Sequence, residues 1–568
     1  MRSRIPLTAA IVFVAALTAL SVSAPAQQPP RDQPAQLQSS SPERPGLIAG
    51  RVLDAATGRP MVRSVVRLAG PELPGGKAVV TDDDGRFEFA GLPAGRYTVT
   101  ARKTGYIGLT YGQRRPLQAG TPLQLGAGQS LKGVDLSLPR GSVISGFISD
   151  ELGNPLPGTM VRVLRYEYAA GARQLVPAGA SQTDDRGYYR VWGLNPGAYY
   201  VSAITRNPDL RVGRGRTEGL APDAPEPAEG YAPTYHPGVP SAQDAQPVIV
   251  GLGAEAENIT FGALLVRTSR VTGRLLDADP SPAPSGNVTL LPEDLNGRGP
   301  LGTLYRGRVG RDGTFTIENV PPGRYLLRAV GGNGANRQFG SQPLTLVGGE
   351  VRDLVVVLTA GATLTGTVTF SEPQSDAPPA FGDFRIAAPA LEPGAPTSSA
   401  DARRDGTFTL RGVQPGLHWI RAQAPRGWML ESVVVEGRET IDAPLEVRGG
   451  QTIGDIRVGF TNRVPELNGT VTDASGAPAT EYTVLAFSGD PALWRPQSRQ
   501  IATARPDQNG RFQIRELPAG DYYVAAIDPV EPDEWFEPSF LSDRRDDAVR
   551  VTINDGEVKT QDLRVATR

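Results

Sequence analysis

Asp84-Gly-Arg-Phe-Glu-Phe-Ala-Gly-Leu-Pro-Ala-Gly-Arg-Tyr97 is the stretch that decides the fold of this chain. Phe87 and Phe89 alternate with Arg86 and Glu88, the period of a half-buried strand. Leu92-Pro93-Ala94-Gly95 breaks that strand, because proline cannot donate to a ladder and glycine accepts backbone angles that other residues avoid. Tyr97, Val99 and Ala101 then resume the alternation. Ala78-Val79-Val80-Thr81 comes before, and an Asp-Gly pair between alternating runs predicts a hairpin turn. The stretch recurs at 186–199, 312–325, 405–418 and 509–522. Its first glycine is Gly85, Gly187, Gly313, Gly406 and Gly510, and its second is Gly95, Gly197, Gly323, Gly416 and Gly520. The two glycines stand ten residues apart in every copy, whereas the copies lie 93 to 126 residues apart. A fixed spacing inside a variable period marks a rigid supersecondary unit joined by tolerant loops.

Working outward, the triplet after the corner repeats as Tyr199/Val201/Ala203, Tyr325/Leu327/Ala329, His418/Ile420/Ala422 and Tyr522/Val524/Ala526. A tyrosine at the start of a strand after a corner can bury its ring and return its hydroxyl to the backbone. Each copy also has an opening strand with an internal glycine, at Gly50, Gly146, Gly273, Gly366 and Gly469. Each closes on a short apolar strand, at 134–138, 259–261, 354–358, 456–460 and 563–565. Opening strand, turn, corner and closing strand fill about 100 residues, the size of a seven-stranded sandwich.

The pattern Gly50-Arg-Val-Leu-Asp54, Gly58-Arg-Pro60, Thr81–Phe87 and Leu92–Val99 resembles the carboxypeptidase regulatory-like domain. The resemblance implies a transthyretin-like (prealbumin-like) β-sandwich, related to carbohydrate-binding-like folds. It extends over nearly everything after residue 45 and is best in the first copy. The fourth copy departs most: it lacks the Gly-x-Pro element, and His418 replaces the tyrosine. The expected fold class is all-β, a tandem array of five transthyretin-like seven-stranded Greek-key β-sandwiches after a signal peptide. This sandwich accompanies many unrelated proteins, so it specifies fold better than function.

Taken in order, residues 1–26 read as a secretory signal: Arg2 and Arg4, an apolar run over 7–22, and the small-residue site Ala24-Pro25-Ala26. Residues 27–45, rich in Gln, Pro and Ser, read as a disordered leader. The modules are expected at 46–139, 140–268, 269–360, 361–463 and 464–568, the second with a long loop over 206–247. Short junctions predict modules that touch end to end. No stretch carries a sustained helical period, and 67 Gly and 52 Pro suit loop-rich β modules. The absence of cysteine excludes disulfides, thiolate metal sites and a lipid anchor on cysteine. A net charge of −2 argues against nucleic acid as a partner. The expected setting is secreted, in the periplasm or at the surface of a bacterium, with no transmembrane segment in the mature protein.

The chemistry is bounded by two histidines, His236 and His418, in different modules. Zinc peptidase chemistry needs histidine and carboxylate ligands around an open position. No such set exists, so the resemblance carries over the fold and no catalytic residue. A Ser-His-Asp site would need one of the same two histidines, and His418 occupies a structural slot. Asp82-Asp83-Asp84-Gly85 hints at calcium but lacks the spaced ligands and distal Glu of a calcium loop. No catalytic residue, cofactor or metal is therefore expected. Trp192 and Trp419 lie on repeated strands, whereas Trp428, Trp494 and Trp535 fall in loops that can expose them, and singly exposed aromatics need no function. The candidate binding residues are Tyr231, Tyr235 and His236, in a loop stiffened by Pro233 and Pro237. Their alternative role is to fold back over the edge of the second module's sheet. The expected function is a secreted, non-enzymatic binding or structural protein whose partner is a protein or glycan at the cell envelope. The alternatives are a carbohydrate-binding accessory of a polysaccharide-uptake or degradation system, and a hydrolase with an unrecognised site.

Overall fold

The computed structural model describes residues 45–113, 118–169, 172–205, 229–279, 281–283, 285–293, 305–371, 379–392 and 394–565. The expected signal segment, all but the last residue of the expected leader, and residues 206–228 of the long loop lie outside the described residues.

The first copy shows the plan. Its strands are β1 (Gly46–Asp54), β2 (Val65–Gly70), β3 (Leu73–Val80), β4 (Arg86–Leu92), β5 (Gly95–Arg102), β6 (Leu109–Thr110), β7 (Leu123–Leu125), β8 (Ser130–Leu131) and β9 (Leu136–Leu138). One sheet runs β4-β1-β8, with β9 continuing beside β1; the other runs β3-β2-β5-β6, with β7 continuing beside β5. With each interrupted pair taken as one strand, this is a seven-stranded sandwich. Ile48, Val52, Leu68, Phe87, Phe89, Tyr97 and Val99 fill the space between the sheets, each at most 4% exposed. Burying side chains of this size stabilises the fold by about 1.5–3 kcal/mol apiece. These are the inward positions that the period-two pattern predicts.

The Asp-Gly pair does not make a hairpin. β3 pairs with β2 and β4 pairs with β1, so the turn carries the chain from one sheet to the other. Asp82 explains the difference. Its carboxylate accepts the amides of Asp84 (3.0 Å) and Arg86 (2.7 Å), while Gly85 N–H closes a tight turn onto Asp82 O at 3.0 Å. Those amides turn inward on the loop rather than outward to a hairpin partner. Thr81 pins the same corner by donating to Met61 O (2.6 Å) and accepting from Ser64 N–H (2.9 Å). Asp184 with Thr183 and Asp507 repeat the device in the second and last copies.

The tyrosine corner recurs with one geometry. The hydroxyls of Tyr97, Tyr199, Tyr325 and Tyr522 each donate to the carbonyl four residues back, at 2.8, 2.6, 2.9 and 2.6 Å. His418 substitutes in kind: Nε2 lies 2.7 Å from Gln414 O, also four residues back, and Nδ1 lies 3.0 Å from Ala388 O. Gly95, at the first corner, is not in the left-handed region, and an added Cβ would press closely only on the Glu72 side chain, at 2.6 Å, with the Tyr97 ring at an ordinary 3.7 Å. The steric demand lies elsewhere, at the glycine inside each opening strand. A Cβ on Gly50, Gly146, Gly273, Gly366 or Gly469 would lie 2.0, 2.1, 2.2, 2.0 or 1.9 Å from a backbone carbonyl oxygen of the closing segment. There the closing segment crosses against the opening strand, which is why it is split into β8 and β9 in the first copy.

The second, third and fifth copies repeat this two-sheet plan. The fourth differs: Met429–Val435 pairs with the closing strand Thr452–Thr461 and enlarges the first sheet to five strands. The strand that starts at its corner is broken into Gly416–His418 and Arg421–Gln423. The fifth adds a short helix, Pro538–Arg544, over the outer face of its larger sheet. Large hydrophobic clusters lie within 48–138, 144–263, 271–358, 362–460 and 467–563.

Several contacts between copies are polar, and Arg495 of the fifth lies over the Trp419 ring of the fourth. Gly141 N–H donates to Gly105 O (3.1 Å) at the first junction, and Arg499 pairs with Asp442 (3.3 Å) between the fourth and fifth copies. The first copy also touches the last. Gln124 N–H donates to Gln508 Oε1 (2.8 Å), and Gln508 Nε2 donates back to Gln124 O (2.9 Å). Arg96 donates to Arg505 O, and Arg426 pairs with Glu72 at 3.2 Å. Contact is therefore not confined to sequence neighbours.

Candidate functional site

The loop carrying Tyr231, Tyr235 and His236 folds back onto the second copy. Thr234–Tyr235 extends the larger sheet by pairing with Ser202 and Ala203, and Glu229–Tyr231 pairs with Leu265–Arg267. Tyr235 is 2% exposed, packed with Leu164 and Ala242. Tyr231 is half-buried and donates its hydroxyl to Glu151 (2.9 Å); burial, with that carboxylate beside it, holds the hydroxyl above its ordinary range. His236 stacks edge-on against Phe261 at 5.8 Å, its backbone N–H bonded to Val201 O, and burial holds its imidazole below the usual histidine range. The three side chains are held by different partners: Tyr231 by Glu151, Tyr235 inward by Leu164 and Ala242, and His236 by Phe261.

His418 is fully buried in its corner, far along the chain from His236. Among the described residues, no group of three or more His, Asp or Glu side chains is placed to hold a metal ion. A cleft of about 720 Å³ on the last copy is lined by Asp490, Asp521, Tyr523, Arg545 and Arg550. Arg545 donates to the Tyr523 hydroxyl (2.9 Å), and Thr552 donates to Asp521 (2.6 Å), so its polar groups are engaged with one another.

The tryptophans divide: Trp419, beside the fourth copy's corner, is 7% exposed, in line with its repeated position, whereas Trp192 departs from its own. Trp494, in a loop, is 6% exposed and donates to Ser488 O at 2.7 Å; Trp428 and Trp535 are partly buried against neighbouring clusters. Trp192, on a repeated strand, is 52% exposed. The reason is parity. In the strand Tyr188–Leu194, Tyr189 and Val191 take the inward slots of Phe87 and Phe89, so Tyr188, Arg190 and Trp192 point out. Across the ladder from them stand Phe147, Ser145 and Val143 of the strand Ser142–Ser149. Phe147, 43% exposed, lies 5.3 Å from the Tyr188 ring. Between this pair and Trp192, Arg190 forks onto Glu255 at 3.1 and 3.3 Å, and Ser145 reaches the same carboxylate at 3.4 Å. The hydrogen bond to Glu255 holds Arg190 above its ordinary pKa, and that to Arg190 holds Glu255 below its own. Aligning the copies on their first glycine would have exposed this face in the sequence, because Trp192 falls on the slot of Ala90, not of Phe89.

The structure defines a repeated all-β sandwich protein. Residues 47–139 and 466–565, the first and last copies, match the family model of the carboxypeptidase regulatory-like domain. Among solved structures, a streptococcal ancillary pilin is similar at 13% identity over 53% of this chain and 100% of the pilin, with a TM-score of 0.18. The full-length RrgB pilus protein of Streptococcus pneumoniae is similar at 8% identity over 75% of this chain and 98% of that one, TM-score 0.15. Two B repeats of the Staphylococcus aureus collagen binding protein are similar at 12% identity over 74% and 99%, TM-score 0.13. Likeness at this level carries no functional information. No curated protein matches the sequence.

Proposed function

We propose that this chain is a secreted, non-enzymatic protein of five transthyretin-like sandwich modules, at 46–139, 140–268, 269–360, 361–463 and 464–568, that works by binding at the bacterial cell envelope, in the periplasm or at the surface. The observation that carries the reading is the use made of reactive side chains: His418 serves a corner, His236 packs on Phe261, and the turn aspartates hold their own loops. Groups so engaged build a scaffold, and a scaffold of repeated modules offers its outward faces to partners. Among the described residues no helix is long and apolar enough to cross a membrane. Within this reading Tyr231, Tyr235 and His236 act as a lid on the second module's sheet edge, with the ring of Tyr235 as its anchor.

The test is retention of the purified full chain on washed envelope fractions, with parallel turnover assays on generic ester, peptide and glycoside substrates. Retention without turnover is expected. Turnover that survives repurification, or no retention on any fraction, contradicts the reading.

A further inference from the structure

The outer face of the second copy's smaller sheet carries aromatic rings that the other four copies lack at the matching described positions. The outward positions matching Tyr188, Arg190 and Trp192 are Arg86/Glu88/Ala90, Thr314/Thr316/Glu318, Thr407/Thr409/Arg411 and Arg511/Gln513/Arg515. Those matching Phe147 are Arg51, Arg274, Thr367 and Thr470. At these positions the other four copies keep polar or small residues, although the third copy exposes Val355 and Val357 on its closing strand. The second places three aromatic rings there, two of them 43% and 52% exposed. Repetition supplies the control: the same strands, corner and crossing glycine form without these rings, so folding does not require them. Exposed large rings gathered on one face mark a contact surface.

We propose that this face is a binding platform for a neutral polysaccharide chain. The charge of the face selects the ligand. Its cation and its anion, Arg190 and Glu255, are joined by two hydrogen bonds, so the platform presents no unpaired charge of its own. An anionic polymer would have to break that pair, and single-stranded nucleic acid requires a basic groove beside its stacking rings. A neutral sugar ring meets both halves of the surface. Its C–H face is attracted to the negative π face of an aromatic ring, and its hydroxyls bond to planar groups that hold free acceptor and donor positions. Tyr188 and Trp192 stand four residues apart on one strand, about 13 Å along it. That span suits successive units of an oligosaccharide rather than one sugar, with Arg190 and Glu255 between the two rings and Ser145, 3% exposed, bonded to the carboxylate from beneath. The proposal rests on the binding reading above and names its ligand class.

The test is affinity electrophoresis of the full chain in native gels containing amylose, xylan, mixed-linkage β-glucan or galactomannan, with polygalacturonate as the anionic comparison. At least one neutral polymer is expected to retard the protein. Trp192→Ala with Tyr188→Ala is expected to weaken that retardation at least tenfold, and Trp192→Phe to keep part of it. Thermal unfolding of the variants should match the parent; if the double variant is destabilised, Trp192→Gln alone carries the comparison. The proposal is overturned if no neutral polymer retards the chain, if only polygalacturonate does, or if the double variant is retarded like the parent. It is also overturned if sedimentation shows a concentration-dependent dimer that Trp192→Ala abolishes, which would give the face to a second copy. Envelope retention unchanged by Trp192→Ala, with no neutral polymer bound, would leave the binding reading standing and remove this one.

Discussion

Gly50→Ala is the smallest change that probes the closure of a sandwich. The added carbon would sit 2.0 Å from Val134 O and 2.4 Å from Val134 C, where an ordinary contact is 3.4–4 Å. Both are backbone atoms, so no side chain can swing away. Relief requires the closing segment to move off β1. That strains a packed core by about 1–3 kcal/mol. It also breaks the bond from Val134 N–H to Ala49 O, now 3.1 Å, leaving buried polar groups unpaired at about 1–3 kcal/mol. The sum, about 2–6 kcal/mol, is a large share of the 5–15 kcal/mol that holds a domain. For a domain of this size it corresponds to a fall in Tm of at least about 8 °C. Gly126→Ala is the control: its Cβ would meet only the flexible Gln129 side chain, at 3.3 Å. Hydrogen exchange of peptides covering β1 and β9 in the full chain reads the effect locally. Protection in Gly50→Ala equal to that in Gly126→Ala would refute the crossing argument.

The remaining expectations follow from the same geometry. Tyr522→Phe leaves Pro518 O without its donor, and His418→Phe takes away the ring nitrogens that face Gln414 O and Ala388 O; each should cost about 1–3 kcal/mol, and an unchanged denaturation midpoint in His418→Phe would refute the reading of His418 as a corner residue. Burial lowers the His236 pKa in the folded state, so below about pH 6.5 the unfolded chain takes up the proton first, and stability falls with falling pH down to the folded pKa. His236→Asn should flatten the melting temperature of the second copy over that window, and an unchanged slope contradicts it. Replacing Tyr231, Tyr235 and His236 together with Ala should lower the stability of the second copy while leaving envelope retention intact; the reverse pattern would make the loop the binding site. Because the chain lacks cysteine, Gln124→Cys with Gln508→Cys permits one specific cross-link. A short bis-maleimide should join the two positions within one chain, and failure to do so contradicts the contact between first and last copies.

Much of the fold was legible because inward residues on a strand alternate with period two. Phe87, Phe89, Tyr97, Val99 and their equivalents declare themselves as core, and the fixed spacing of Gly85 and Gly95 identifies the unit. The Asp-Gly turn misled because its sequence specifies a tight turn, not which strands it joins. The sheet change depends on Asp82 reaching its own amides and on Thr81 bonding to Met61, which lies twenty residues earlier. The need for Gly50 was visible only as a recurrence; its cause, the carbonyl of Val134, comes from a segment more than eighty residues away. The aromatic face was written in the sequence as parity, yet Trp192 on a repeated strand reads as core until the copies are aligned residue by residue. Trp494 shows the opposite failure: a loop residue is buried because the strand beneath it, Thr483–Ser488, is covered on both faces.

The most direct test of the whole account is hydrogen exchange across the full chain at rising denaturant, read peptide by peptide. If the chain is five sandwiches with separate cores, the opening and closing strands of each copy lose protection together, at a denaturant concentration of their own, in five separable blocks. Loss of protection in a single step shared by β1, the strand Ser269–Leu276 and the strand Glu466–Thr472, or an opening strand that exchanges apart from its own closing strand, would contradict it.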